Sequence, residues 1–254
     1  MTGTPTGNRM RREWTRGPVL GAWCTIGSPG AVELMADCGY DFLILDCQHG
    51  EFGVTELEPM LRAFGGTEVT PTVRVPHNDY FAIGHALDAG AQTIIVPMVE
   101  TREQAERAAR AVRYQPDGAR SWAVTRAARA LGSDPAAVNE QVALLLMIET
   151  ATGLENAAEI ASVPGVDGIF VGPADLALTM GLQPGVTAPA AGVEDALDKI
   201  AGICAEHGIV AGLAGGAEYA RHGFRVLTVG NDRALLAAGR AKVDEARAAA
   251  PSTG

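Results

Sequence analysis

The chain has 254 residues, 47% of them hydrophobic and 20% charged, and its formal net charge at pH 7 is -10. This length allows a sizeable core and suits either one α/β barrel or two small domains. Acidic and basic residues are interleaved without a basic stripe, which argues against a nucleic-acid partner. No apolar run reaches the roughly 18 residues of a membrane span, so we expect a cytoplasmic protein with no membrane partner.

Short β-rich apolar runs alternate with amphipathic stretches along the whole chain. The strands predicted in chain order are 19–26, 41–46, 70–75, 92–97, 142–149, 167–172, 208–214 and 224–230. The helical stretches that follow them are 30–39, 55–66, 79–90, 101–113, 151–163, 192–208, 216–223 and 231–250, several of which end in glycine. Repeated βα units in about this length predict an α/β fold, a single-domain (β/α)8 TIM barrel. The alternative is a doubly wound open sheet, which would normally have fewer strands and a glycine-rich first turn.

The domain boundaries follow from the same pattern. We expect residues 1–12 and 249–254 to be disordered tails and residues 13–248 to form the barrel. The segment near 114–141 is too long for a simple connection, so we expect an insertion with short helices that covers the barrel mouth. The four cysteines, Cys24, Cys38, Cys47 and Cys204, lack CxxC spacing, and we expect buried free thiols.

Chemistry in a barrel belongs at the carboxyl ends of the strands, where carboxylates follow two neighbouring strands. Glu149 ends the fifth predicted strand, and Asp175 comes just after the sixth. Two oxygen ligands that leave several positions open suit Mg²⁺, Mn²⁺ or Co²⁺. Each carboxylate could instead cap the helix that follows it, and spacing alone leaves both interpretations open.

The stretch 172–175 joins the sixth strand to the next helix. Gly172 allows a ligand to approach the backbone, Pro173 presets the first helical turn, and free N–H groups lie near Ala174 and Asp175. A helix start of this kind binds a carboxylate or phosphate. The sequence therefore favours a site in which a metal and these N–H groups hold one 2-oxo acid.

Arg74 and His49 are the other candidate catalytic residues. Arg74 lies in a buried-strand context and needs an anionic partner, which is either a structural ion pair or a ligand's keto oxygen. His49 follows Asp46 by three residues, and an acid that orients an imidazole is a recurring general-base arrangement. A purely structural histidine is the alternative.

Lysine provides negative information. The chain has only Lys199 and Lys242, and both fall within predicted helices. A barrel aldolase that works through a Schiff base needs a lysine in its pocket. Enolate chemistry here would therefore depend on a metal acting as Lewis acid.

Several segments together carry a family resemblance that covers roughly residues 17–245. They are GAWCTIGSP, DFLILDCQHG, PTVRVPHNDY, ALDAGAQTIIVPMVET, MIETATGLEN and GVDGIFVGPADLALTMG. The chain resembles the HpcH/HpaI aldolases, metal-dependent class II pyruvate aldolases that include 2,4-dihydroxyhept-2-ene-1,7-dioate aldolase. The resemblance implies a divalent metal cofactor (Mg²⁺, Mn²⁺ or Co²⁺), pyruvate and an aldehyde as substrates, and a hexamer built as a trimer of dimers with the last helix exchanged between subunits.

The resemblance also implies roles for individual residues. Glu149 and Asp175 bind the metal, Arg74 contacts the pyruvate oxygen, and His49, oriented by Asp46, is an acid/base that works through water. The backbone of Gly172, Pro173, Ala174 and Asp175 holds the carboxylate, and Trp23 shapes the pocket. Asp88 matches an acidic residue that reaches a neighbouring subunit's site.

Three positions depart from the family pattern. Gln48 replaces a glutamate before the histidine, Met147 replaces a glutamine in the pocket, and the bulky Trp122 lies in a stretch, 118–129, that is glycine-rich in the family. The function implied is reversible aldol addition of pyruvate enolate to an aldehyde, with cleavage of 4-hydroxy-2-oxo acids as its reverse. The departures leave open oxaloacetate decarboxylation, enolate chemistry in a specialised pathway, and a catalytically weakened 2-oxo acid binding protein. A CoA-ester lyase of the citrate-lyase type lacks a basic patch for the CoA phosphates.

Overall fold

A computed structural model of the protein describes residues 7–185 and 192–249. Eight parallel strands close into one barrel in sequence order, which confirms the predicted single-domain TIM barrel. The strands are β1 (Val19–Cys24), β2 (Phe42–Asp46), β3 (Thr70–Arg74), β4 (Thr93–Val96), β5 (Ala143–Ile148), β6 (Gly168–Val171), β7 (Val210–Leu213) and β8 (Val226–Asn231). Each lies within one to two residues of its predicted bounds.

An outer layer of helices surrounds the barrel. The α-helices are α1 (Arg9–Glu13), α2 (Pro29–Ala36), α3 (Leu57–Arg62), α4 (Tyr80–Ala89), α5 (Arg102–Val112), α6 (Ala128–Leu131), α7 (Pro135–Gln141), α8 (Ala151–Glu155), α9 (Ala157–Ala161), α10 (Pro173–Thr179), α11 (Glu194–His207) and α12 (Ala234–Ala249). Short 3₁₀ helices span Val54–Glu56 and Ala217–His222. No helix in the described part of the chain is long and apolar enough to cross a membrane.

The strands are buried on both faces and therefore alternate between two cores. Along β2, Phe42 and Ile44 pack inside the barrel, whereas Leu43 and Leu45 pack against the helices. Because the side-chain period of a strand is two, the same alternation directs the next residue of β2, Asp46, toward the barrel axis. The site residues at the ends of β1, β3 and β5 follow the same rule.

The amino-terminal boundary predicted at residue 12 is wrong. Residues 9–13 form α1, whose N-cap Asn8 donates from Nδ2 to the carbonyl oxygen of Gln92 at 2.9 Å. Met10 is fully buried in the interior cluster at the amino-terminal end of the barrel. Helix α1 therefore closes the end opposite the carboxyl ends of the strands, because a buried apolar anchor outweighs the polar composition around it. Residues 1–6 and 250–254 lie outside the described residues.

The insertion at 114–141 contains the expected short helices, but the expectation that it covers the barrel mouth is wrong. Helix α7 leads directly into the first residue of β5, and Ala130 in α6 accepts a hydrogen bond from the N–H of Gly7. Arg126 donates to the carbonyl oxygen of Leu61 near the end of α3. These contacts place the insertion along the outer helices and at the amino-terminal end of the barrel.

The four cysteines are free, as expected, but they differ in exposure. Cys24, Cys47 and Cys204 are buried, and burial raises the pKa of the Cys47 and Cys204 thiols to about 12. Cys38 is exposed at the end of α2, so the expectation of burial fails for this residue. Helix α2 ends before it, and the residue falls on the outer surface of the barrel.

Candidate active site

A cavity of about 510 Å³ opens at the carboxyl ends of the strands. One part of its wall consists of residues predicted from the sequence: Trp23, Arg74, Met147, Glu149, Gly172, Pro173, Ala174 and Asp175. Gly185 and residues from the ends of β7 and β8 complete the lining. The barrel therefore brings most of the predicted site to one place, whereas Asp46, His49 and Asp88 lie outside this lining.

Asp46 and Arg74 form a buried ion pair beneath the cavity. The guanidinium donates from Nε to Asp46 Oδ1 at 2.8 Å and from Nη2 to Oδ2 at 2.6 Å. The two residues are register partners on β2 and β3, and both are buried. A two-point contact of this kind fixes the plane of the guanidinium. The structural ion pair anticipated for Arg74 is present, and it leaves part of the same guanidinium facing the cavity.

The predicted contact between Asp46 and the His49 imidazole is not among the contacts of the described residues. Asp46 Oδ1 instead accepts the backbone N–H groups of Gln48 and His49 at 3.1 and 3.2 Å. The carboxylate is occupied because the buried guanidinium needs a charged partner. His49 is exposed in the loop after β2. Asp46 therefore positions Arg74 and the loop backbone, and the account of Asp46 as an imidazole orienter is corrected.

Among the described residues, the third guanidinium nitrogen of Arg74 has only weak partners. Nη1 lies 3.9 Å from Met147 Sδ, a poor acceptor, and the guanidinium carbon lies 4.5 Å from the centroid of the Trp23 ring. Trp23 is held in turn by a hydrogen bond from its Nε1 to Thr228 Oγ1 and by edge contact with Phe170. Nη1 is therefore a fixed donor on the cavity wall, ready for an oxygen of a ligand.

Glu149 is held at the end of β5 by its neighbours on both sides. Its Oε2 accepts the backbone N–H of Met98 at 2.9 Å, and Met98 has a positive φ of 56°. On the other side, a Cβ added to Gly172 would lie 2.4 Å from Glu149 Oε1, so only glycine allows this approach. Burial raises the pKa of Glu149, and the nearby carboxylate of Asp175 adds to the effect. A bound cation would relieve both causes.

The helix-capping alternatives for the two carboxylates fail. Helix α8 is capped by Thr150, whose side chain accepts the N–H of Gly153, and not by Glu149. Helix α10 has Gly172 at its N-cap and no side-chain capping bond, and Asp175 lies in its first turn. Neither carboxylate therefore caps the helix that follows it, and both line the cavity.

The donor set fits a hard divalent cation bound by few protein ligands. Within residues 7–185 and 192–249, no group of three or more His, Cys, Asp or Glu side chains could hold a metal. A closed zinc site is therefore not formed by these residues. Two carboxylates that line one open cavity match the oxygen-rich, partly hydrated coordination of Mg²⁺ or Mn²⁺.

Two predicted residues lie away from the cavity within one chain. Asp88 is near the end of α4, next to the start of β4 and thus at the opposite end of the barrel. Its carboxylate pairs with Arg120 at 2.7 Å. Trp122 is exposed on the insertion. Neither residue is part of the cavity lining.

The cavity also contains residues that sequence reasoning missed. The side formed by the ends of β7 and β8, here called the β7–β8 wall, is lined by Ala214, Gly215, Gly216, Thr228, Val229, Gly230 and Asn231. None of these lining residues carries a charged side chain, so their residue types are no chemical signal of a site. Their position after the last two strands of a barrel was the available signal.

A TIM barrel with two carboxylates and a guanidinium converging at its catalytic face defines an enzyme that acts on a small molecule. A family model described as HpcH/HpaI aldolase/citrate lyase matches residues 20–238. The chain is 34% identical over 235 residues to a 5-keto-4-deoxy-D-glucarate aldolase of Klebsiella pneumoniae subsp. pneumoniae, covering 89% of this chain and 91% of the relative. It is 38% identical over 244 residues to a hydroxypyruvate/pyruvate aldolase of Deinococcus radiodurans, covering 92% and 87%.

Solved structures agree with these relatives. An HpcH/HpaI aldolase/citrate lyase family protein from Burkholderia cenocepacia J2315 superposes with a TM-score of 0.85 at 34% identity, covering 94% of this chain and 99% of that chain. The chain belongs to the HpcH/HpaI aldolase/citrate lyase family. It is a carbon–carbon lyase, and the resemblance recognised from the sequence is confirmed.

Proposed function

We propose that the protein is a divalent-metal-dependent lyase that adds pyruvate enolate reversibly to an aldehyde and, in reverse, cleaves 4-hydroxy-2-oxo acids. The observation that carries this proposal is the meeting of Glu149, Asp175 and Arg74 in one cavity. Enolate formation needs positive charge beside a keto oxygen, and this cavity has one fixed guanidinium and two carboxylates suited to a cation.

Glu149 and Asp175 would hold Mg²⁺, Mn²⁺ or Co²⁺. Such an ion, when bound, supplies Lewis-acid stabilisation of the negative charge that develops on a keto oxygen. The buried Glu149 is preset for this task, since Met98 and Gly172 fix its carboxylate from both sides. Asp175 adds the second oxygen ligand from the first turn of α10.

Arg74 and the first turn of α10 would orient pyruvate in the cavity. The keto oxygen of pyruvate would accept a hydrogen bond from Arg74 Nη1, the nitrogen that Asp46 leaves unused. The pyruvate carboxylate would lie at the backbone N–H groups of Ala174 and Asp175, which have no partner within the helix because they belong to its first turn. Trp23 and Met147 close the wall beside C3 and shape the space that pyruvate occupies.

Proton transfer requires a base near the cavity mouth, and His49 is the candidate. Through a bridging water, His49 would accept a proton from C3, and the C3 carbanion equivalent would attack the aldehyde carbon. The same proton would then return from His49 through the water to the aldehyde oxygen. The exposed position of His49 suits a role through water better than direct contact. Cleavage follows the same steps in reverse.

We also propose that the working form is a homo-oligomer, of which the hexamer is the family expectation. Helix α12 supports an exchanged terminal helix, because every residue of it from 237 to 249 is exposed in a single chain. Phe81 on α4 is 79% exposed, which is unusual for a large aromatic side chain on a monomer. Asp88 on the same helix could then reach a neighbouring cavity.

Release of pyruvate from a 4-hydroxy-2-oxo acid tests the function. We expect pyruvate, coupled to NADH oxidation by lactate dehydrogenase, to appear with Mg²⁺ or Mn²⁺ and to stop with EDTA. Arg74→Lys, which cannot keep the two-point contact with Asp46, is expected to lose about 10²-fold or more in kcat/KM. Decarboxylation of oxaloacetate without aldol cleavage would favour the decarboxylase, and pyruvate binding without either reaction would favour the binding protein.

A further inference from the structure

We propose that the acceptor half of this cavity selects uncharged, hydroxyl-bearing aldehydes over aldehydes that carry a carboxylate or phosphate, and that Glu218 contributes to this selection. The proposal rests on the proposed function, since it names the class of the second substrate. Pyruvate needs only the part of the cavity near Arg74 and α10. The space that remains for the acceptor borders the β7–β8 wall.

The β7–β8 wall contains no cation. Its side chains are those of Ala214, Thr228, Val229 and Asn231, and the other members are glycines. In the described part of the chain, Arg74 is the one cationic residue that lines the cavity, and it already serves Asp46 and pyruvate.

The polar groups of the wall are instead suited to hydroxyl groups. Thr228 Oγ1 accepts the Nε1–H of Trp23 and still has its own hydroxyl proton to donate. Asn231 Oδ1 accepts the backbone N–H of Ala234, so its amide NH₂ is the part available to a ligand. Such neutral donors match the oxygen atoms of a hydroxyaldehyde and supply no counter-charge for an anion.

A negative charge also lies beside this wall. A Cβ added to Gly216 would come within 2.1 Å of Glu218 Oε2, so the Glu218 carboxylate packs directly against Gly216. The one cation of the same 3₁₀ helix, Arg221, points elsewhere, because its Nε donates to His222 Nε2. The other ring nitrogen of His222 lies 2.8 Å from Asp198 Oδ1 on α11. Glu218 therefore lies against a residue of the cavity wall, and among the described contacts no cation of its own helix pairs with its carboxylate.

The first cationic residue after β8 in the sequence, Arg233, already has partners elsewhere. Arg233 donates to Thr25 Oγ1 and pairs with Glu51 at 2.8 Å.

With metal and pyruvate bound, the site would hold four carboxylates, those of Asp46, Glu149, Asp175 and pyruvate. The Arg74 guanidinium and one divalent cation would supply three positive charges, so one negative charge would remain in excess. A second anionic group on the acceptor would meet this excess without a partner, whereas a neutral acceptor would not.

The test compares D-glyceraldehyde with D-glyceraldehyde 3-phosphate as acceptors of pyruvate, with the metal-loaded enzyme and product measured by mass spectrometry. We expect kcat/KM to be at least about tenfold higher for the uncharged aldehyde, equivalent to about 1.4 kcal/mol. Glu218→Lys should reduce this preference about threefold or more. Glu206→Lys is the matched control, because Glu206 is exposed on α11 and its replacement changes the net charge equally. Added salt should weaken the Glu218→Lys effect.

Equal or better use of the phosphorylated aldehyde by the wild-type enzyme would overturn the inference. Equal effects of Glu218→Lys and Glu206→Lys on the acceptor preference would show that Glu218 does not contribute to it. Deuterium exchange at C3 of pyruvate, measured without aldehyde, distinguishes a failure of the acceptor class from a failure of the proposed function. Exchange without the expected preference would refute only the acceptor class, whereas no exchange and no aldol product would refute the proposed function and this inference together.

Discussion

Gly172→Ala tests the claim that Glu149 is held in a geometry built for a metal. The added Cβ would lie 2.4 Å from Glu149 Oε1, 2.8 Å from Cγ and 3.0 Å from Cδ. The backbone of Gly172, at φ -97° and ψ 91°, is accessible to alanine, so the effect is steric and not conformational. To restore even a 3.0 Å contact from 2.4 Å, Oε1 must move by at least 0.6 Å.

Such a displacement is large for a metal ligand, since ligand distances are held to about 0.2 Å. We expect Gly172→Ala to weaken Mn²⁺ binding by about 10- to 100-fold, measured by titration calorimetry or by electron paramagnetic resonance of free Mn²⁺. The crowded site should also lower the free energy of unfolding by about 1–3 kcal/mol. Gly202→Ala is the control, because a Cβ there meets nothing within 4 Å. Wild-type Mn²⁺ affinity in Gly172→Ala would refute the reasoning.

Three further predictions concern buried and exposed groups. Asp46→Asn leaves the Arg74 guanidinium buried without its charged partner and should lower the free energy of unfolding in urea by about 3–5 kcal/mol; a loss below about 1 kcal/mol would contradict this. Burial raises the pKa of Glu149, so at pH values above the usual carboxyl range the folded metal-free protein binds more protons than the unfolded chain. Its free energy of unfolding therefore falls as the pH rises through this range. Glu149→Gln should therefore stabilise the metal-free protein at pH 8 but not near about pH 4, and an equal effect at both pH values would be inconsistent with this cause. Ellman's reagent should label one thiol per native chain, that of Cys38, and Cys38→Ser should abolish the reaction, whereas labelling of more thiols before unfolding would be the contrary result.

The barrel and the inward-facing site residues were predictable because their signals are local and periodic. Each strand is an apolar run bounded by turn residues, and its alternation decides which side chains face the axis. Arg74 and Glu149 lie at strand ends on the inward-facing positions, so their convergence follows once eight strands close in order. The sequence therefore predicts which residues meet at the cavity.

The contacts among those residues were not predictable in the same way. Asp46 could serve either the imidazole of His49 or the guanidinium of Arg74, and only the three-dimensional structure shows that β2 and β3 align it with Arg74. Met98 gives no sign in the sequence of the positive φ that directs its N–H to Glu149. Such features depend on neighbours distant in the chain.

The amino-terminal helix and the insertion show a second limit. The polar composition around Met10 is typical of a tail, yet this one side chain is buried in the closed end of the barrel. The segment 114–141 has no periodic signal that says which end of the barrel it covers. Its placement depends on single contacts, such as that between Ala130 and Gly7.

The most direct test of the central claim is deuterium exchange at C3 of pyruvate in D₂O without any aldehyde. Exchange reports enolate formation itself and does not require the acceptor to be known. We predict exchange above the enzyme-free rate with Mg²⁺ or Mn²⁺, its loss with EDTA, and its loss in Glu149→Gln. Pyruvate binding without metal-dependent exchange would contradict the proposed lyase mechanism and leave a protein that only binds 2-oxo acids.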